Sequence, residues 1–501
     1  MGIIAVAALA ATFTCAMERV DSMDPVKAQS MYDSRAVQLV YETPLLIDYG
    51  ARPYRLAPGL CELPDVSGDG LVYTFRMVAG APVAAEDVKR AVERLRDPDD
   101  PSPGSWTMRR VASVEVPDAA TLRVTLDGRQ HVFPWMMAMG YVGVRLADGS
   151  GTGPYRLKSW WRNHEMMFER NESWRGWSAA GAQRGLRPFD TVRYLVVDDS
   201  STRWLMFLKG EIDCLAEIDR DNWDAVVGRD GRIVPSLAAR GVRLCGGTPA
   251  LEMRYIGFNV ADPVLSNRTL RQALSCAFDS AAWAAFYNNA VDPATGPVPP
   301  CVDGFLDTPF EFAYDPGKAK SLLAEAGYPG GIDPATGRRL TLTLSIGRAT
   351  QDSRETGELV ASFFDRIGVR LELGFQTWEA FLSSVNKGET QMHMMGWVGD
   401  YPDAENFLQL FHTRNFSPGP NHSGYSCAEF DAEYDAAMAA PTAEERNVRW
   451  RRCQEIVRRD CPWIYTHVRR NYSLVRDRVK NYVVGDFPYG QERYLRTEDV
   501  E

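Results

Sequence analysis

The chain has 501 residues, 45% hydrophobic, 24% charged and 11% aromatic, with a formal net charge of -10. Its length exceeds what one hydrophobic core supports, so two or three domains are expected, and the composition is that of a folded chain rather than a disordered one. The acidic balance, with no Lys/Arg run, argues against nucleic acid or an anionic membrane as the main partner, because both call for basic patches.

The N-terminus carries one apolar stretch, Ile3 to Phe13, too short to span a bilayer. It reads as the apolar part of a secretory leader, with Thr14-Cys15-Ala16 as a cleavage site, although basic residues before it are missing. Cys15 is alternatively a lipid-attachment cysteine, for which Phe13 and Thr14 are poor neighbours. No later segment approaches about 18 unbroken apolar residues, so the mature chain is expected to be soluble or tethered only at its N-terminus. The nine cysteines are scattered without a CxxC, so no disulfide pairing can be assigned.

Further along, Leu71, Tyr73, Phe75 and Met77 alternate as a strand, as do Leu122, Val124 and Leu126. Between them Glu86 and Asp87 open a helix whose apolar face is Val88, Ala91, Val92 and Leu95. This region reads as a small α+β domain. Gly149 to Pro154 marks a boundary, and Gly246-Gly247 precedes the strand Tyr255 to Asn259. Leu270, Ala273, Leu274, Ala277 and Phe278 then give an amphipathic helix, and a domain start is placed near residue 251.

The most regular region runs from 340 to 397. Leu340, Leu342, Leu344 and Ile346 alternate; Leu359, Phe363 and Ile367 share a helix face ending at Gly368. Val369, Leu371, Leu373 and Phe375 alternate again, a second helix covers Trp378 to Asn386, and Met392 to Trp397 is a third strand. This order implies parallel pairing with right-handed crossovers. Ligands on such sheets bind beyond the carboxyl ends of the strands. Arg348 follows the first strand and Asp400 the third, so a 2-1-3 order would project a guanidinium and a carboxylate from one edge, on strands roughly 5 Å apart.

Gly396 to Phe407 is the most telling stretch, with Asp400, Asp403 and Glu405 set among aromatics, glycines and a proline. A carboxylate between aromatic walls is costly unless it meets a cation. The stretch is therefore either a pocket for a positively charged group or a surface turn of solvated acids. With Arg348 it suits a zwitterion, ammonium at Asp400 and carboxylate at Arg348.

Catalytic patterns are missing. There is no Walker loop and no G-x-S-x-G; His164-Glu165 lacks the second histidine of a zinc protease, since Phe168 stands there. His412 and His422 near the Asp400 loop are the only hint of a metal, and a surface role is the plainer reading. No catalytic residue, cofactor or metal is assigned.

Several segments, in order, resemble the extracytoplasmic solute-binding proteins of ABC importers, family 5. They are Met23-Asp24-Pro25 with Tyr41-Glu42, Asp69 to Arg76, Ala85-Glu86-Asp87-Val88, Gly151 to Tyr155, Ile256 to Asn259 with Leu270 to Leu274, Gly399 to Asp403, and Asn421 to Asp431. Two departures, the shortened Met77 to Pro82 and the abbreviated Val142 to Gly149, touch the small α+β domain.

The resemblance implies an α/β, periplasmic-binding-protein-like, two-lobed clamshell with an extra small α+β domain. Its parts are a leader at 1–16, a lobe I base at 17–40, 153–250 and 472–501, the small domain at 41–152, and lobe II at 251–471. It further implies that Asp400 takes a peptide's α-amino group and Arg348 its carboxylate, with Trp397, Tyr401, Gly399 and Asn259 as ligand contacts. Hinges are expected near Gly246-Gly247 and Val468-Arg469. The expected partners are a di- or oligopeptide and the permease subunits of an ABC importer, for a monomeric receptor in the periplasm, with or without a lipid anchor. Alternatives on the same fold are a binder of nickel-chelate, haem or oligosaccharide, or a peptide-sensing receptor. A peptidase would need a catalytic pattern that is not there.

Overall fold

The computed structural model describes residues 10–179, 185–228, 230–417, 419–487 and 489–498. The chain divides into two compact units, Met1–Gly247 with Asn471–Glu501, and Thr248–Arg470.

At the centre of the first unit, Thr12–Met17 runs parallel to Thr191–Val196 on one side and Cys214–Leu215 on the other. Glu165–Arg170 and Tyr155–Trp161 extend the sheet antiparallel. This corrects the reading of 1–16 as a leader for residues 12 to 16. Phe13 and Cys15 are 0% and 2% exposed, in one core cluster with Val192, Tyr194 and Phe168. A central strand buried on both faces has the same apolar composition as a leader. Burial pushes the Cys15 thiol up to about 12, so in the folded chain it is an unreactive core group. The rest of the leader reading, residues 1–9, lies outside the described residues.

The segment 65–126 forms its own antiparallel sheet, in the order Asp65–Val66, Val72–Arg76, Thr121–Leu126, Val111–Asp118. Tyr73, Phe75, Leu122, Val124 and Leu126 are buried, as are Val88, Ala91, Val92 and Leu95 of the helix Ala85–Leu95 packed on that sheet. The Asp87 carboxylate accepts the Ala84 N–H at 3.0 Å and so stabilises the helix start.

In the second unit the strand order is Arg370–Phe375, Thr341–Ile346, Met392–Val398, Glu252–Phe258 and the long strand Trp463–Arg476. The first three are parallel, in the 2-1-3 order expected; Glu252–Phe258 is antiparallel to both of its neighbours. The helix Gln351–Asp365 begins where the Thr350 hydroxyl accepts the Ser353 N–H, and Gly368, at φ +88°, turns the chain after it. Phe363 and Val360 of that helix pack with Leu342, Leu344, Ile256 and Leu270 into one core. Each such burial contributes about 1.5–3 kcal/mol.

The chain passes between the units at 247/248 and 470/471. Gly246 has φ +109°, and a Cβ there would stand 2.0 Å from the Asn471 carbonyl oxygen, so only glycine is accommodated. Among the described residues no helix is long and apolar enough to cross a membrane.

Candidate functional site

The candidate site is built at the carboxyl edge of the parallel strands, and its geometry starts from the end of Met392–Val398. The Gly399 N–H still donates to the Leu251 carbonyl at 2.8 Å, continuing the ladder one residue past the strand. A Cβ on Gly399 would meet Leu251 Cγ at 2.8 Å and Phe407 Cζ at 3.0 Å, so this glycine serves close packing.

Asp400 follows. Its backbone N–H donates to Asn406 Oδ1 at 3.2 Å, and Asn406 Nδ2 donates to its carboxylate at 3.3 Å. The same Asn406 Oδ1 accepts the Trp397 indole N–H at 2.8 Å. Asn406 is 0% exposed and thus a fixed clamp that sets both residues. No described arginine, lysine or histidine pairs with Asp400. Water reaches the residue, which is exposed, while surrounding protein crowds and partly desolvates its carboxyl. The crowding raises its pKa above the usual carboxylate range, with the Asn406 hydrogen bond opposing.

The other two acids of the stretch are spent internally. Asp403 accepts the Glu405 N–H at 2.9 Å. Glu405 is buried and receives the hydroxyls of Tyr401 and Tyr434. Tyr401 is 2% exposed, so the expectation that it contacts ligand is corrected to a supporting place beneath the loop. Of the two readings of this stretch, the solvated turn fails for Asp403 and Glu405, and Asp400 alone keeps an accessible carboxylate without a cation.

Arg348 lies on the same edge, exposed and without a hydrogen-bond or ion-pair partner among the described residues. Its strand and that of Asp400 are neighbours, but the register sets them apart. Ile346, opposite Met394, is the last pair of that ladder; Arg348 follows a bend at Gly347, two residues past it, whereas the Asp400 strand runs on to Val398, so Asp400 stands six residues past the same pair. Asn259 is not at the site. Glu252–Phe258 runs antiparallel, Glu252 opposite Val398 and Phe258 opposite Met392, so Asn259 falls at the opposite end of the sheet from Asp400. There its amide donates to the Gly388 carbonyl at 3.0 Å.

The antiparallel strand instead brings Glu252 to the site, a residue that sequence reasoning missed along with Asn406. Glu252 is 2% exposed, bound by Arg469 at 2.6 and 2.8 Å and by Arg254 at 3.2 Å. Burial alone would raise its pKa; Arg254 and Arg469 overrule it and hold the carboxyl at about 2. The spacing of Glu252 and Arg254, two residues apart in a strand, was the one available signal, since such residues share a face. Among the described residues no group of three or more His, Cys, Asp or Glu could hold a metal. His412 is buried and its Nδ1 accepts the Arg414 N–H at 3.1 Å.

The architecture is that of the periplasmic binding proteins. The structure of HbpA2 from Haemophilus parasuis superposes with a TM-score of 0.82 at 24% identity, covering 98% of this chain and 100% of that one. The profile of the bacterial extracellular solute-binding proteins, family 5 Middle, matches residues 55–418, and the chain belongs to that family. Curated relatives include Heme-binding protein A of Haemophilus influenzae, 26% identical over 89% of this chain and 84% of its own length. The Dipeptide-binding protein of Escherichia coli is 25% identical over 92% of this chain and 89% of its own length.

Proposed function

We propose that this chain is the substrate-binding receptor of an ABC importer, capturing di- or oligopeptides outside the cytoplasmic membrane and delivering them, as a monomer, to permease subunits. It acts by binding and release, not by catalysis. The observation that carries the reading is Asp400, an accessible, desolvated carboxylate without a cation, positioned by Asn406 at a sheet edge. Such an acid gains most from a ligand ammonium, and each charge-assisted hydrogen bond contributes about 1.5–3 kcal/mol. Arg348 takes the far carboxylate. The two strands are neighbours and Asp400 lies further along its strand than Arg348 does, which separates the two charges along the sheet edge and suits a short peptide better than a single amino acid.

Domain motion is absorbed where the chain passes between units, at Gly246-Gly247 and beside Val468-Arg469, and ligand favours whichever form binds it better. Asp400→Asn should weaken dipeptide binding by about 2 kcal/mol in calorimetry; unchanged affinity refutes the assignment. The name of one relative, Heme-binding protein A, favours a second reading, haem as cargo. A Soret shift on titrating haem, with no thermal shift across a dipeptide library, would select it.

A further inference from the structure

Glu252, Arg254 and Arg469 place two guanidinium charges on one buried carboxylate, and the two are not equivalent. Arg469 grips Glu252 through both oxygens at 2.6 and 2.8 Å, which satisfies the acid. Arg254 reaches the same oxygens only at 3.2 Å and has no other partner among the described residues. Its side chain is 38% exposed. It also has a prepared bed. On the facing strand Gly396 stands opposite Arg254, and a Cβ there would lie 2.6 Å from Arg254 Cδ and 2.9 Å from Nε. Any other residue at 396 would lift the guanidinium off the sheet.

Gly396 and Val398 share a pleat face of the strand, and Asp400 follows two residues past Val398. Arg254 therefore shares a face with Val398, 58% exposed, which lies between it and Asp400 along the chain. Arg348 follows the other neighbouring strand, two residues past Ile346, which pairs Met394. The nearest imidazole is no competitor for a ligand anion. His467, opposite Arg254 on the long strand, receives the Trp283 indole N–H at 2.9 Å, and burial drives its pKa down to about 3.

We infer that Arg254 is a specificity-determining residue that receives a carboxylate carried on a ligand side chain, so that the receptor selects acidic peptides over neutral ones. The inference rests on the peptide reading above. There Asp400 answers the ligand's ammonium and Arg348 its terminal carboxylate. The charge of Arg254, left over once Arg469 has matched Glu252, answers a second negative group.

The test is calorimetry with two isosteric pairs, Ala-Glu against Ala-Gln and Glu-Ala against Gln-Ala, on the wild-type chain, Arg254→Gln and Arg254→Lys. Wild type should bind the acidic member of at least one pair about tenfold more tightly, and the pair that responds tells which ligand residue lies over Gly396. Arg254→Gln should abolish that preference while leaving affinity for the neutral dipeptide unchanged; Arg254→Lys should retain part of it. Arg254→Gln, which takes one of two cations from Glu252, should lower the melting temperature modestly while Arg469 keeps the chain folded, and Arg254→Lys should melt nearer wild type, so the affinities are compared on folded protein. Equal loss for acidic and neutral dipeptides, or a preference that survives Arg254→Gln, overturns the inference while leaving the peptide reading intact. If wild type binds none of the four dipeptides, both fall together.

Discussion

Asp400 and Glu252 stand two residues apart in register at one sheet edge, and the fold treats them oppositely. Glu252 is sealed from water and held by two arginines, so its charge is a structural element whose carboxyl sits at about 2. Asp400 is reachable by water, meets only an asparagine amide, and is held above the usual carboxylate range by crowding. An acid matched inside the protein supports the fold; an accessible acid left unmatched is the one available to a cation from outside, which is the role proposed for Asp400. The difference lies in partners, not in residue chemistry.

The comparison breaks most severely on the Glu252 side. Arg469→Ala leaves a buried carboxylate with only the long contacts to Arg254 and should cost about 3 kcal/mol in urea unfolding. An unchanged midpoint would mean that the pair is not structural.

The pH dependence of stability separates the two acids by sign. The folded pKa of Glu252 lies below its ordinary 4.5, so its contribution is present above that value and is lost as pH falls toward about 2, about 3 kcal/mol in all. Glu252→Gln should flatten the acid limb. Asp400 is shifted the other way. Its contribution is present below 3.8 and is lost as pH rises through its raised folded value, while ligand binding, which needs the ionised form, weakens as pH falls through that value. Asp400→Asn should therefore leave neutral-pH stability unchanged or slightly higher, and a dipeptide titration series from pH 7 downward should lose affinity above pH 3.8.

A smaller effect is expected at the clamp. Asn406→Ala removes one acceptor and one donor serving Asp400 and Trp397, and should cost about 1–2 kcal/mol in stability. It should also weaken dipeptide binding, by calorimetry. Smallest in stability is Arg348→Gln, within about 0.5 kcal/mol because the side chain is exposed and unpartnered. Its affinity loss of about 1 kcal/mol should vanish for a C-terminally amidated dipeptide.

Local periodicity carried much of the fold into view. Leu342 and Leu344, Phe363 and the Gly368 stop are all short-range patterns, and the 2-1-3 order followed from strand-helix alternation. Thr12–Met17 was hidden because a strand buried on both faces and a leader are equally apolar. The place of Asp400 just past the third parallel strand was legible from the same alternation. The direction of Tyr401 was not, since a turn has no fixed period, and its partner Glu405 looked like one more exposed acid. Asn259 was misplaced because only the antiparallel register reveals which end of its strand it occupies. Arg469 joins Glu252 across 217 positions of sequence, a pairing that no local pattern announces.

The central claim is that the unmatched acid receives a ligand ammonium. Its most direct test is calorimetric titration of Ala-Ala and N-acetyl-Ala-Ala into the wild-type chain and Asp400→Asn. The account predicts that acetylation and Asp400→Asn each weaken binding by about 2 kcal/mol, and that acetylation costs nothing further in the variant. Tight wild-type binding of the acetylated peptide, or full-strength binding of Ala-Ala by Asp400→Asn, would contradict it.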